Sequence, residues 1–272
     1  MKMQHFPLLV FVLFITLVYL NGGNRTIEWD VIVFTQQWVL TYCHIFRLTN
    51  ETHKCNLQTL LPEQYWKVHG IWPTKVGTMG PNDCKYVNFT IDRFNREGRH
   101  YLEKMWTHID AKNTSEQLWK NEWMKHGSCS LEIEQLQDQY YYLAQGMAWW
   151  RDFQLYRILE EQGVLPGAEY PLGNITGAIK KTIGKEVDTR CYYDEHTKTV
   201  FLNEILICFD KNLTLINCDL MQKKKKLDCG KEWDMVTYPD VVPQLYYESG
   251  ATGKLLSFVH LFLSVIVSWL FN

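Results

Sequence analysis

The eight cysteines of this chain include no C-x-x-C pair, and no Cys/His cluster stands at zinc-ligand spacing, so no structural zinc site of the familiar kinds is encoded. The zinc-peptidase signature H-E-x-x-H is missing as well. Charge of neither sign is in excess: 28 Lys and Arg face 30 Asp and Glu, for a formal net charge of -2. A global field that gathers polyanions is thereby excluded, and any nucleic acid must be held by local basic patches and by stacking on aromatic rings, of which there are 11 Trp, 15 Tyr and 13 Phe. The one basic run, the four lysines at 223–226, reads as a solvated loop. Low-complexity linkers and internal repeats are also lacking, which makes a single core the simplest organisation.

Long apolar runs occur only at the two ends, and both read as addresses rather than fold. Lys2, the apolar stretch 6–20 and the small pair Gly22-Gly23 compose a signal peptide over residues 1–23, the other reading being a retained anchor. At the far end Ser249, Gly250 and Ala251 precede the apolar stretch 255–271, with nothing basic after it. Residues 250–272 are therefore a GPI-attachment signal, a retained membrane helix or a buried helix, the first two attaching the chain to a membrane. Between the ends, residues 24–249 are expected to form one domain. An even set of cysteines lying wholly within it fits an oxidised, exported protein. Sequons at Asn24, Asn50, Asn88, Asn113, Asn174 and Asn212 predict a glycoprotein of the secretory pathway, secreted or held at the cell surface.

Residues 29–38, rich in aromatic and branched side chains, predict a buried strand. Residues 65–72 alternate, placing Tyr65, Lys67, His69 and Ile71 on one face and Trp66, Val68 and Trp72 on the other, until Pro73 stops the strand. Helical patterns cover 94–106, 115–126 and 133–161, the last with a break at Gly146. A hairpin is expected from 199–209 and 213–218 around Asp210, Lys211 and Asn212. Strands and helices in irregular succession predict an α+β fold, a mainly antiparallel central sheet flanked by helices.

Two short segments concentrate the chemistry: His69-Gly70-Ile71-Trp72-Pro73, and Glu122-Trp123-Met124-Lys125-His126-Gly127-Ser128-Cys129. On a helix, Asn121 and Lys125 stand four apart, as do Glu122 and His126, so the four groups cover one broad side and can converge on one ligand. Cys129 can pin that helix to a loop such as the one holding Cys84, which would fix His126 against His69. Two histidines, a carboxylate and an ammonium suffice for acid–base chemistry at a phosphate with no metal and no other cofactor.

Both segments, in order and spacing, resemble the signatures H-G-L-W-P and H-E-W-x-K-H-G-T/S-C of the ribonuclease T2 family. Phe34-Thr35-Gln36-Gln37-Trp38 is similar to the family's F-x-x-Q-W element, and the likeness extends over residues 28–235. The resemblance implies that 24–249 is a ribonuclease T2-like catalytic domain, a monomer acting on single-stranded RNA. Among the 105 connectivities that eight cysteines allow, it implies Cys43–Cys55, Cys84–Cys129, Cys191–Cys229 and Cys208–Cys218. It makes His126 the base and His69 the acid, or the reverse, with Lys125 and Glu122 stabilising the pentacoordinate phosphate. The 2'-hydroxyl would attack to give a 2',3'-cyclic phosphate and then a 3'-phosphate, leaving DNA untouched. Gln37, Trp72, Thr74 and Asn121 are the implied substrate contacts, Trp72 either stacking on a base or packing as a structural indole.

Two positions depart from the family pattern. Asn121 stands where most active relatives carry a third histidine; an amide donates to phosphate without charge, a loss worth on the order of ten- to thirtyfold in binding or rate. Thr74 replaces an acidic residue that helps read the base, and its hydroxyl accepts more weakly. A catalytically weakened RNA-binding or host-interacting glycoprotein is the alternative that Asn121 keeps open.

Overall fold

Branched and aromatic side chains at successive positions suit a strand covered on both faces, and β1 (Val31–Trp38) is buried at all eight of its positions. The computed structural model describes residues 28–57, 65–78, 80–218, 229–231 and 234–245. After β1 the chain enters α1 (Val39–Thr49), returns as β2 (Trp66–Thr74) and continues into α2 (Arg96–Met105) and α3 (Ser115–Lys125). Next come α4 (Gln139–Asp152), α5 (Leu155–Glu160), β3 (Ala168–Pro171) and α6 (Leu172–Ile183). It closes with β4 (Asp188–Asp194), β5 (Thr199–Phe209), β6 (Leu215–Ile216) and β7 (Met235–Tyr238). The strands form one sheet in the order β2-β1-β5-β7-β3, with β4 and β6 also pairing to β5. All these pairings are antiparallel except that of β5 with β7. This is the α+β architecture expected, and β5 with β6 is the expected hairpin, its turn closed by Asp210, whose side chain accepts from the backbone N–H groups of Asn212 and Thr214.

The two faces of the sheet differ. Ile32, Phe34 and Trp38 of β1 join the helices in the large core, where Trp38 lies 4.6 Å from the ring of Tyr238 and Trp149 stacks on Phe209 at 4.0 Å. Val31, Val33, Leu206 and Cys208 face the other way into a small cluster closed by the Cys208–Cys218 disulfide, Ile216 and Trp72. Cys43–Cys55, Cys84–Cys129 and Cys191–Cys229 are the remaining disulfides, so the four pairs are those the resemblance implied.

Pro73 does not stop β2, which runs on to Thr74 with Pro73 opposite Ile32. The strand lies at the edge of the sheet, where a residue without an N–H leaves no ladder bond unmade on its outer side. That outer side is closed by side chains instead. Trp150 donates its indole N–H to Trp66 O, Trp106 to His69 O, and the Tyr142 hydroxyl both donates to Ile71 O and accepts from Ile71 N. The pattern over 133–161 is not one helix, and its main break falls at 153–154 rather than at Gly146. Gly146 sits inside α4 because a β-carbon there would come within 2.6 Å of the Trp106 ring.

Lys67 is 2 % exposed, and its ammonium donates to the backbone carbonyl of Lys104. Burial, with the charge of Lys104 adding to it, pulls its pKa down to about 7. Since the unfolded chain holds this proton up to about pH 10.4, unfolding takes up a proton between the two values. Stability therefore increases as pH rises through that interval, and below about pH 7 the full cost of a buried charge is borne. Lys67→Met should raise the melting temperature at pH 6, by an amount equivalent to roughly 1–4 kcal/mol, and flatten the rise above pH 7. Thermal unfolding across pH checks this, and an unchanged or lower melting temperature at pH 6 contradicts it.

The signal peptide, Asn24, the lysines at 223–226 and the C-terminal tail lie outside the described residues. Among the described residues no helix is long and apolar enough to cross a membrane. Asn50, Asn88, Asn113, Asn174 and Asn212 are all exposed.

Candidate active site

His69 owes its orientation to an irregularity in β2. Thr35 pairs with Gly70 and Gln36 with Val68, so His69 is the extra residue of a β-bulge and the alternation expected over 65–72 is interrupted there. Bulges re-aim a side chain without ending the strand. The backbone carbonyl of His69 accepts from the Trp106 indole N–H at 3.0 Å.

Helix α3 presents the second segment. A capping box starts it, Thr114 accepting from Gln117 N while Gln117 Oε1 accepts from Thr114 N, and Trp119 and Trp123 bury one side. Its far end is tied to the loop before it in sequence by the Cys84–Cys129 disulfide, by Asp83 N donating to Lys125 O at 2.7 Å, and by Cys84 N donating to Ser128 Oγ at 3.1 Å. The helix ends at His126, whose N–H still donates to Glu122 O.

The two segments meet at Trp72. Its ring centroid lies 5.0 Å from that of His69 and 5.5 Å from that of His126, and its indole N–H donates to Glu122 Oε2 at 2.9 Å. Gly70 makes this contact available: a β-carbon there would stand 2.1 Å from Glu122 Oε2 and 2.3 Å from Trp72 Nε1. The guanidinium of Arg190 lies 5.2 Å from the centroid of the Trp72 ring.

The two histidines are in opposite electrostatic situations. His126 is buried, and burial, reinforced by the charges of Lys125 and His69, pulls its pKa down to about 3. Geometry agrees, because its Nδ1 is buried with no hydrogen-bond partner and a proton added there would be left unsatisfied. His69 is also desolvated, which acts to lower its pKa, but the Glu204 carboxylate, by its charge and its hydrogen bond, and to a lesser degree Glu122, outweigh burial and the opposing charge of Arg190 and raise it. Glu122 is pushed up by burial, against the pull of His69, the Trp72 N–H and Lys125. At neutral pH His69 is thus biased toward the cation and His126 held neutral.

Lys125 and Asn121 are exposed on α3, one turn apart. Gln37 is buried and donates to Glu204 Oε1 at 3.4 Å. Thr74 departs from expectation: it is 6 % exposed and its hydroxyl donates to Trp72 O at 3.0 Å. The strand continues past Pro73, where it was expected to stop, so this hydroxyl donates to its own backbone and keeps only its acceptor capacity for a ligand. Two residues absent from the sequence reading are present. Glu204 accepts from His69 Nδ1 at 2.6 Å and from Arg190 Nη1 at 3.1 Å. The available signal was a lone carboxylate inside the apolar strand of residues 199–209. Among the described residues, no group of three or more His, Cys, Asp or Glu side chains is placed to hold a metal ion.

The model of the ribonuclease T2 family matches residues 29–218 of this chain. Ribonuclease Oy of Magallana gigas is 29% identical over 199 residues, covering 71% of this chain and 88% of its own. Ribonuclease MC1 from the seeds of bitter gourd superposes with a TM-score of 0.61 at 26% identity, covering 70% of this chain and 94% of that one. Human RNase T2 shares the fold, with a TM-score of 0.62 at 22% identity over 78% of this chain and 98% of its own.

Proposed function

The chain belongs to the ribonuclease T2 family and is an endoribonuclease, and from that membership we propose that it cleaves single-stranded RNA by metal-independent transphosphorylation, with His126 as base and His69 as acid. What supports the assignment is that two imidazoles pack against one indole, with burial favouring neutral His126 and the Glu204 carboxylate favouring the cation of His69. Neutral His126 takes the proton of the ribose 2'-hydroxyl, and O2' attacks phosphorus. The bond to the 5'-oxygen breaks, and that oxygen leaves with the proton of His69. The product is a 2',3'-cyclic phosphate; water then adds with the two roles reversed, giving a 3'-phosphate. An incoming phosphate also brings negative charge beside His126, which favours its taking up the proton.

Charge on the pentacoordinate phosphorus is met by exposed Lys125 and by Glu122, whose raised pKa makes its protonated form, a hydrogen-bond donor, more accessible. Asn121, a turn away, offers an amide donor. Trp72 serves chiefly as the spacer that sets the two imidazoles apart, since its N–H and its ring contacts are engaged within the protein. Four disulfides and five exposed sequons support passage through the secretory pathway. The alternative of a weakened RNA-binding glycoprotein is not favoured by the family membership.

The purified protein should cut single-stranded RNA in the presence of EDTA, leave DNA intact, and give 2',3'-cyclic phosphate ends before 3'-phosphates. Mass spectrometry of the early products checks this. Activity lost to EDTA and restored by a divalent cation, or products ending in 5'-phosphate, would refute the mechanism.

A further inference from the structure

Strand β5 runs through the middle of the sheet and is apolar at nearly every position, yet it carries Glu204, 4 % exposed. A buried carboxylate costs several kcal/mol unless its oxygens are fully met. Here both are met. Oε1 accepts from His69 Nδ1 at 2.6 Å and from Gln37 Nε2 at 3.4 Å, and Oε2 accepts from Arg190 Nη1 at 3.1 Å. Strand register produces the arrangement: Glu204 is directly opposite Gln37 of β1 and Arg190 of β4, so the three side chains share one face of the sheet. It is the face of Val33, Leu206 and Cys208, where Trp72 also lies. The bulge in β2 turns His69 into the same row.

We propose that Glu204 is the positioning residue of His69, and that Arg190 clamps its second oxygen so that the carboxylate cannot turn away from the imidazole. The inference rests on reading His69 as the acid. A carboxylate can only accept, so the nitrogen facing it must be N–H; Nδ1 is thereby committed to the protein and Nε2 is left to carry the proton that is given away. The His69 side chain is 32% exposed, enough for its other nitrogen to meet a ligand. With His69 protonated, His69, Glu204 and Arg190 together keep one net positive charge at a site whose neighbour Asn121 has none. The charged or titratable groups acting on His69 are Glu204 from β5, Arg190 from β4 and Glu122 from α3, with His126 at the end of α3 coupled to it. A purely architectural ion pair would hold the strands together without governing the proton of His69.

The test uses the whole protein and two substitutions of opposite electrostatic sign. Glu204→Gln keeps a side chain of the same shape but removes the negative charge, so the alkaline limb of the kcat/KM profile should move to lower pH. Its kcat should fall about tenfold or more, part of what the acid itself contributes, while KM changes by less than about twofold, as for a group acting only in the transition state. Arg190→Met removes the charge that opposes protonation of His69, and the limb should move to higher pH. NMR titration of the His69 ring follows the same shifts without RNA, so a chain that cuts no RNA but shows them overturns the ribonuclease mechanism and leaves the positioning role standing. An unchanged His69 titration in folded Glu204→Gln, or shifts of the same sign in both variants, overturns the proposal. Should Glu204→Gln fail to fold, Glu204→Asp replaces it: a carboxylate one methylene shorter is expected to lower kcat yet keep the His69 titration on the wild-type side of any neutral substitution, and its loss there counts against the proposal equally.

Discussion

Replacing either His69 or His126 by alanine is expected to lower the rate of RNA cleavage by about a hundredfold or more, the contribution of a lost proton-transfer group. The two losses should be distinguishable by pH. Cleavage needs His126 neutral and His69 protonated, so the kcat/KM profile of the parent rises on its acid side as His126 loses a proton and falls on its alkaline side as His69 does. Because burial holds His126 at about 3 and Glu204 raises His69, the limbs are spread and the plateau between them is broad, covering mildly acid pH. In His126→Ala the acid limb should vanish while the alkaline limb persists; in His69→Ala the reverse should hold. Near-full activity in either variant, or loss of the wrong limb, would remove that residue from its role.

A single methyl group at Gly70 should do comparable damage. The added β-carbon would occupy space now held by Glu122 Oε2 and Trp72 Nε1, neither of which can yield without breaking their 2.9 Å hydrogen bond. Displacement of catalytic groups by an ångström can cost on the order of a hundredfold in rate, and overpacking costs about 1–3 kcal/mol of stability. Gly70→Ala is therefore expected to fold, to melt earlier, and to lose on the order of a hundredfold in kcat, with Trp72 fluorescence altered. Rates close to the parent would mean that the Trp72–Glu122 contact does not set the geometry of the site.

How far the site could be read from sequence followed the distance over which its residues communicate. Glu122, Lys125 and His126 are a helical turn apart, so helical periodicity grouped them; His69 and Trp72 were joined to them by the motif resemblance, since strand alternation placed those two on opposite faces. Glu204 reaches His69 only through strand pairing across 135 residues, with Arg190 brought in on the neighbouring strand, and each looks locally like an ordinary polar residue in a strand. The bulge at His69 is equally illegible, because one extra residue in a ladder leaves no trace in the hydrophobic pattern. The end of β2 was misplaced for a different reason: Pro73 was expected to stop the strand, whereas an edge strand tolerates it and runs on to Thr74, which is buried. Lys67, read with His69 on one face, satisfies its charge at a helix carbonyl that no periodicity reveals.

The outer edge of β2 has a consequence beyond catalysis. An uncovered edge strand is a template on which a second chain can add itself and start an aggregate. Here the carbonyls of Trp66 and His69 and both backbone groups of Ile71 are already spent on Trp150, Trp106 and Tyr142. The strand that carries the acid is thereby closed to recruitment by its own kind, at high concentration as much as at low. That protection depends on α2 and α4 being docked, so a chain in which those helices have come away would expose a polymerisation seed before it lost any of its disulfides.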